Sequence, residues 1–564
     1  MSFTCHRVLR ALAASAFAAM LAACAAQDRA AGQVAQIHLV ALNDFHGNLE
    51  ASTYRYTSAQ DHAQHTIKAG GIDTLAAALQ AWRKEDGQLL LVGAGDLIGA
   101  SPPLSSMWAD EPSIEALNGL GLRVSSVGNH EFDPGRAELL RQQNGGCESP
   151  RPDKACRFEK TFGGAQFAYL AANVIDKAGG KPILPAYRIE QVHGVKIAFI
   201  GVVLKDTASM VVPSGVAGLA FIDEADAVNA ALPALRAQGI HAFVVLIHQG
   251  GFTDEAPEQP GCQHLQGPIV DVVKRLDPEI RLVVSGHTHT GYTCKVDGRL
   301  VTQADMGGHL LTRIRLDIDM QSDAVRDVSA KNVVMLPGSY PSDEAMQAYL
   351  QQVRRRGAAQ LARPVARLGA APVTRQPNRA GETAFGDLMA DSMLAATRAQ
   401  GAQIAFINSS SLREDLETDA DRVVSEGQVR AALPFGNTLV MMNLNGAQLR
   451  QLLEEQGQGA AHSGPLQVSQ GLSYRWNQGA PSGSRASDVR LDGAAIEDGK
   501  AYRITVNNFI AQGGDHFTMF TKGSERADTG IVDVDALKRY LADCDARGRP
   551  AGAAEPAARI IQRQ

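Results

Sequence analysis

Val124-Ser125-Ser126-Val127-Gly128-Asn129-His130-Glu131-Phe132-Asp133 is a short β-branched run that stops at a glycine and turns at once into amide, imidazole and carboxylate. Four more runs end the same way. Ile37–Leu42 leads into Asn43-Asp44-Phe45-His46-Gly47, and Leu89–Val92 into Gly93-Ala94-Gly95-Asp96. Phe243–Ile247 ends at His248, and Ile280–Val284 at Ser285-Gly286-His287-Thr288-His289. Continuous apolar runs of this length read as strands buried on both faces, which predicts a layered α/β architecture. The stretches between them, such as Gly71–Lys84 and Asp223–Gln238, carry helical spacing. In such folds functional groups gather beyond the carboxyl ends of the strands. Five strand ends then deliver Asp44, His46, Asp96, Asn129, His248, His287 and His289 to one rim.

Carboxylate, amide oxygen and imidazole together are a ligand set for borderline divalent metals such as Zn, Mn or Co. There are enough donors for two ions, and no cysteine stands among them, which argues against a structural zinc site. Two ions about 3.5–4 Å apart can clamp the attacking and leaving oxygens of an in-line phosphoryl displacement. Asp96, central in the series, is the natural bridge. Gly93 and Gly95 are read as a tight turn around Asp96 and not as a dinucleotide loop, because the next glycine, Gly99, falls one position late.

Asp44-x-His46, Gly95-Asp96, Gly128-Asn129-His130-Glu131, His248 and Gly286-His287-x-His289 resemble, in order and spacing, the five blocks of the calcineurin-like metallophosphoesterases. The resemblance implies a four-layer α/β/β/α domain. It places one ion on Asp44, His46, Asp96 and His289, and a second on Asp96, Asn129, His248 and His287. His130 then faces the phosphate as a catalytic residue, with Asp133 orienting it.

The ligand-rich pattern ends after Asp319. Pro337-Gly338-Ser339-Tyr340-Pro341 breaks the chain, and a helix is expected from Ser342 to Arg356. Ser342 is its expected cap, and Arg354, Arg355 and Arg356 form a solvated last turn. A separate α/β domain follows. Its loops Asn408-Ser409-Ser410-Ser411-Leu412-Arg413, Pro434-Phe435-Gly436-Asn437 and Asn507-Asn508-Phe509 with Gly513-Gly514-Asp515 resemble the C-terminal substrate-binding domain of the 5′-nucleotidase/UDP-sugar hydrolase family. By that resemblance Phe435 and Phe509 sandwich a nucleobase, Asp515 binds ribose hydroxyls, and Asn408, Arg413, Arg379 and Arg375 line the substrate site. The family usually has glycines where this chain has Ser409, Ser410 and Ser411. The expected boundaries are a signal at 1–23, the metallophosphoesterase domain at 34–336, a linker helix at 337–360 and the substrate domain at 361–550.

The implied activity is release of phosphate from nucleoside 5′-monophosphates. The same metal site also suits pyrophosphate cleavage, as in UDP-sugars or NAD, and 2′,3′-cyclic phosphodiesters. An alternative of another class is a nucleotide- or metal-binding lipoprotein without turnover. A net charge of −6 argues against a polymeric nucleic-acid partner held by phosphate neutralisation.

Arg7 and Arg10 precede an apolar run from Ala11 to Ala23, too short to span a bilayer and suited to a signal peptide. It ends in Leu21-Ala22-Ala23-Cys24, which resembles a bacterial lipobox. The expectation is an exported lipoprotein of a Gram-negative bacterium, lipidated at Cys24 and held at the periplasmic or outer membrane. In an oxidising compartment Cys147 should pair with Cys156, and Cys262 with Cys294, each clipping a loop. Cys544 is left over.

Overall fold

The computed structural model describes residues 33–370, 372–456, 464–552 and 558–562. Cys24 and the signal sequence lie outside them. No helix among the described residues is long and apolar enough to cross a membrane.

The five apolar runs form strands Val34–Leu42, Leu90–Ala94, Leu122–Ser126, Ala242–His248 and Leu282–Ser285. The first three lie side by side and parallel in a six-stranded sheet, and the other two in a seven-stranded sheet. Alternation along the strands explains how the sheets stack. Ile37, Leu39 and Ala41 meet Phe199, Val244, Leu246, Leu282 and Val284 in a core between the sheets. Val40 and Leu42 point the other way, onto helix Ile72–Glu85 through Leu75 and Leu79. Ile200, Val245 and Val283 likewise face helices Glu224–Arg236 and Pro268–Arg275. The result is the four-layer α/β/β/α arrangement. Both sheets send the carboxyl ends of these strands to one edge, which brings ligands from two separate sheets together.

Both disulfides form as paired in sequence, Cys147–Cys156 and Cys262–Cys294. The first clips a loop. The second instead joins adjacent strands, Pro260–Cys262 and Gly291–Val296, with the two cysteines in register. Cys544 is free, on helix Asp533–Ala546.

The connecting helix differs from expectation. It runs Glu344–Leu361, and Asp343, not Ser342, caps it by accepting from Met346 N–H. Asp343 is placed so that its carboxylate reaches the third helical amide. Because the helix extends past Arg356, the arginines stand in its body and not in its last turn, and all three are exposed to solvent as expected. Arg354 pairs with Glu50 at 2.6 Å, and Arg356 with Glu159 at 2.7 Å. Tyr349 Oη donates to the Pro112 carbonyl at 2.9 Å. The helix is thus tied to the first domain.

The second domain has a five-stranded sheet in which Ile404–Ile407, Ala501–Asn507 and Thr438–Asn445 lie centrally. Helices Ala384–Thr397 and Asp533–Ala546 cover one face, and helix Gly446–Glu455 the other. Arg559 fastens the terminal strand Ile560–Gln562 by ion pairs to Asp391 at 2.8 Å and Asp387 at 3.5 Å. Burial pushes the Asp387 carboxyl up to about 7 despite Arg559, with Glu382 and Asp391 adding to the rise, and its Oδ1 has no hydrogen-bond partner. A carboxyl whose folded pKa lies above its unfolded value binds more protons folded than unfolded, so its contribution to stability falls as pH rises from about 4 to about 7. Asp387→Asn, which stays neutral, should therefore raise the melting temperature at pH 8 more than at pH 5. An equal effect at both values would refute the assignment.

Candidate metal centre

Each metal-type residue sits just past, or at, the end of its strand. Asp44, His46, Asp96, Asn129 and His248 are buried. Asp44, His46 and His289 bring one donor atom each within 4.8 Å of one another, as do Asp96, His248 and His287. A third such group, His46, Asp96 and His130, lies between them. Asn129 Oδ1 is 3.1 Å from His287 Nδ1.

Holding these donors in place strains the backbone. Asp44, His46, Asp96, His287 and His289 all have φ between 46° and 78°, where non-glycine residues are rare. The glycines beside them are demanded by crowding. A Cβ on Gly128 would collide with Asp96 Oδ1, and one on Gly286 would lie 2.7 Å from the Ala94 carbonyl. Main-chain amides complete the cradle: His287 N–H donates to Asp44 Oδ2 at 2.9 Å, and His130 N–H to Asp96 Oδ1 at 2.9 Å.

The donor set fits a cation. His46 Nδ1 pairs with the Gly99 carbonyl at 2.9 Å and His248 Nδ1 with the Ala94 carbonyl at 2.8 Å, so in each neutral ring Nε2 carries a lone pair. Yet His46 Nε2 faces His289 Nε2 at 3.1 Å, and His248 Nε2 is 3.0 Å from Asp96 Oδ2 without hydrogen-bond alignment. A buried pocket this rich in imidazole nitrogens and carboxylate oxygens calls for positive charge among them, whether a proton or a metal ion. The titration behaviour agrees. Burial opposes charge on His248, but the Asp96 and Asp44 carboxylates outweigh it and pull the ring up to about 10. Burial holds His46 well below its ordinary value and His287 down to about 3, the neutral form that ligates metal.

His130 is oriented by Asp133, whose Oδ2 lies 2.7 Å from Nδ1. Burial opposes a charge on His130, but the Asp133 and Asp96 carboxylates raise its pKa overall. Glu131, to which the sequence assigns no role, ties the loops together. Its carboxylate accepts from Asp96 N–H at 2.9 Å, Leu97 N–H at 2.8 Å and Gly128 N–H at 2.5 Å. Burial, aided by Asp96, pushes it up to about 7. Asn43, also without an expected role, donates from Nδ2 to Asp44 Oδ2 and to the Asp305 carbonyl, both at 2.7 Å. Glu131 was signalled in sequence only as a carboxylate inside a ligand loop, where it must find donors.

The second domain adds to this rim. The Phe435 ring stacks beside His130, with centroids 5.8 Å apart and planes 22° from parallel. Arg413 lies over Phe435, 5.9 Å from its centroid, and its charge bears on His46, His130 and Asp133. Arg375 supports that loop, donating to the Leu412 carbonyl at 3.2 Å and pairing with Asp415. Asn408 Nδ2 donates to Asp515 Oδ2 at 2.8 Å. Phe509 follows the strand Ala501–Asn507 in a short helix, Asn508–Ala511, and packs half-buried against Gly514. It therefore lies beyond the end of the strand and not within it. Arg379 is exposed, and among the described residues no hydrogen bond, ion pair or ring contact joins it to the metal cluster.

Residues 37–291 match the calcineurin-like phosphoesterase family, and residues 359–522 match the 5′-nucleotidase C-terminal domain. The fold and site thus define a metal-dependent phosphoester hydrolase. With both modules in order, the chain belongs to the 5′-nucleotidase family of calcineurin-like phosphoesterases. It is 26% identical to the 5′-nucleotidase of Vibrio cholerae, over 95% of this chain and 96% of that one. It is 31% identical to Endonuclease YhcR of Bacillus subtilis over 90% of its own length, but spans only 40% of the length of that relative. The crystal structure of a 5′-nucleotidase precursor from Thermus thermophilus superposes with a TM-score of 0.74 at 25% identity, covering 94% of this chain and 99% of that one. A Thermus thermophilus sulfate thiohydrolase, SoxB, shares the fold at 18% identity and a TM-score of 0.68 over 93% of this chain and 96% of that one, so fold alone does not choose the substrate.

Gly128→Ala should displace Asp96 and abolish stabilisation by added Mn²⁺ in thermal unfolding. Undiminished stabilisation would show that the close approach of Gly128 to Asp96 is not needed.

Proposed function

We propose that this chain releases phosphate from nucleoside 5′-monophosphates, with two divalent ions of the Zn, Mn or Co type. Asp44, His46, Asp96 and His289 would hold one ion, and Asp96, Asn129, His248 and His287 the other. Bound there, the ions supply charge neutralisation and activate water for in-line displacement at phosphorus. His130, kept in orientation by Asp133, donates a hydrogen bond to the phosphoryl group as charge grows on its oxygens. Arg413 presents a planar fork that matches phosphate bidentately, with Arg375 supporting its loop and Arg379 a further phosphate contact by the family resemblance. Phe435 and Phe509 offer faces for the base, worth about 1–3 kcal/mol per stacked base and tolerant of its identity. Asn408 and Asp515 face the ribose.

The observation that carries this reading is the meeting of Arg413 and Phe435 from one domain with His130 from the other. A ligand with phosphate at one end and an aromatic base at the other suits such a junction. Domain opening and closing about the helix Glu344–Leu361 then serves exchange of substrate and product. We also infer export and anchoring through a lipid on Cys24, supported by the Leu21-Ala22-Ala23-Cys24 signal and by two disulfides, which suit an oxidising compartment.

Asp96→Asn should abolish phosphate release from nucleoside monophosphates. His130→Ala should retain the metals and lose roughly 10²–10³-fold in kcat. A full rate in either variant contradicts the role of the residue replaced. Cys24→Ser should move the protein from the membrane to the soluble fraction, and persistence in the membrane would contradict lipid anchoring.

A further inference from the structure

The hydrogen bonds around Asp515 leave no freedom in where their protons sit. Asn507 Oδ1 accepts from Ile510 N–H at 2.9 Å, capping the short helix at the end of its strand. Its Nδ2 is therefore the donor to Asn408 Oδ1, at 2.8 Å, and Ser411 Oγ also donates to that oxygen at 2.7 Å. Asn408 Nδ2 must in turn donate, and it does so to Ser410 Oγ at 2.7 Å and to Asp515 Oδ2 at 2.8 Å. Ser410 has one proton, and it points to Asp515 Oδ2 at 2.5 Å. Both donors converge on Oδ2, and neither touches Oδ1. Asp515 itself stands at φ 52° in a three-residue turn, Gly514–His516, so its main chain is fixed in a sparsely populated region.

An ionised carboxylate only accepts hydrogen bonds, so it recognises donors such as the adjacent hydroxyls of ribose. A carboxylate free to rotate would meet them in many arrangements. One with Oδ2 already held by an amide and a hydroxyl offers Oδ1 in a set direction, and preorganisation of this kind raises affinity by cutting the cost of ordering. We propose that Ser410 is a positioning residue that locks the Asp515 carboxylate for a ribose diol, and so sets the preference for ribonucleotides over 2′-deoxyribonucleotides. This rests on the proposed contact between Asp515 and ribose.

The test uses the full-length, Mn²⁺-loaded enzyme with AMP and dAMP. Ser410→Ala should raise KM for AMP about five- to tenfold, the size of effect usual for losing one ordinary hydrogen bond. It should change KM for dAMP less, and kcat for either by no more than about twofold. Ser410→Thr, which keeps the hydroxyl, should restore the AMP value. In an Asp515→Ala background, Ser410→Ala should add nothing further. Equal KM changes for AMP and dAMP, or the same loss with and without Asp515, would overturn the positioning role. If Asp515→Ala alone leaves both KM values as they were, the ribose contact itself is wrong and the proposal falls with it. If Asp515→Ala raises KM and Ser410→Ala does not, only the role of Ser410 is lost.

Discussion

The crowding of imidazoles and carboxylates in one buried pocket is the constraint on which the rest of the structure depends. Two carboxylates and four imidazoles converge where little water reaches, and the Nδ1 contacts of His46 and His248 turn their Nε2 atoms into the pocket. Such a cluster costs several kcal/mol per unpaired group unless a cation joins it. The protein accepts further costs to build it, with five ligand residues in left-handed backbone conformations and glycines where a Cβ would strike a ligand. Strain concentrated in this way persists only when the surrounding structure fixes it. The fixing comes from two packed sheets, the Glu131 carboxylate across three main-chain amides, and Asn43 behind Asp44.

The second constraint is the junction between domains. The helix Glu344–Leu361 is pinned to the first domain by Arg354, Arg356 and Tyr349, while its far end leads directly into the second. That geometry brings Phe435, with Arg413 over its ring, beside His130. The sheet of the second domain contributes Asn408 from the end of one strand and Asn507 from its parallel neighbour, and their amides organise the loop that carries Asp515. In the proposed reading the first domain holds the cations and His130, and the second brings Arg413 to the phosphate and ring faces and a fixed carboxylate to the rest of the nucleotide.

Much of this was legible in the residues because burial on both faces leaves uninterrupted apolar runs. The carboxyl ends of the strands leading to Asp44, Asp96, Asn129, His248 and His287 could be read within a residue or two, and the two disulfides as nearest neighbours. What could not be read depends on tertiary partners. Asp343 caps the connecting helix although Ser342 is as good a capping type, because position relative to Met346 N–H decides it. Arg354 and Arg356 look like unpaired solvated cations until Glu50 and Glu159 of the first domain come beside them, though both stay exposed. Glu131 gives no local sign that its donors come from Asp96 and Leu97, more than thirty residues away. Phe509 continues an alternating pattern in sequence, yet Asn507 caps a helix there and ends the strand.

If the convergent acceptors exist to hold two cations at the junction of the domains, metal stoichiometry and turnover must rise together. Calorimetric titration of the metal-free protein with Mn²⁺, with phosphate release from a nucleoside 5′-monophosphate followed in parallel, reads both. Two equivalents should bind, both should be lost in Asp96→Asn, and activity should reach its plateau only with the second. Full activity in a chelated, metal-free protein, or saturation at one equivalent, would contradict a two-cation site.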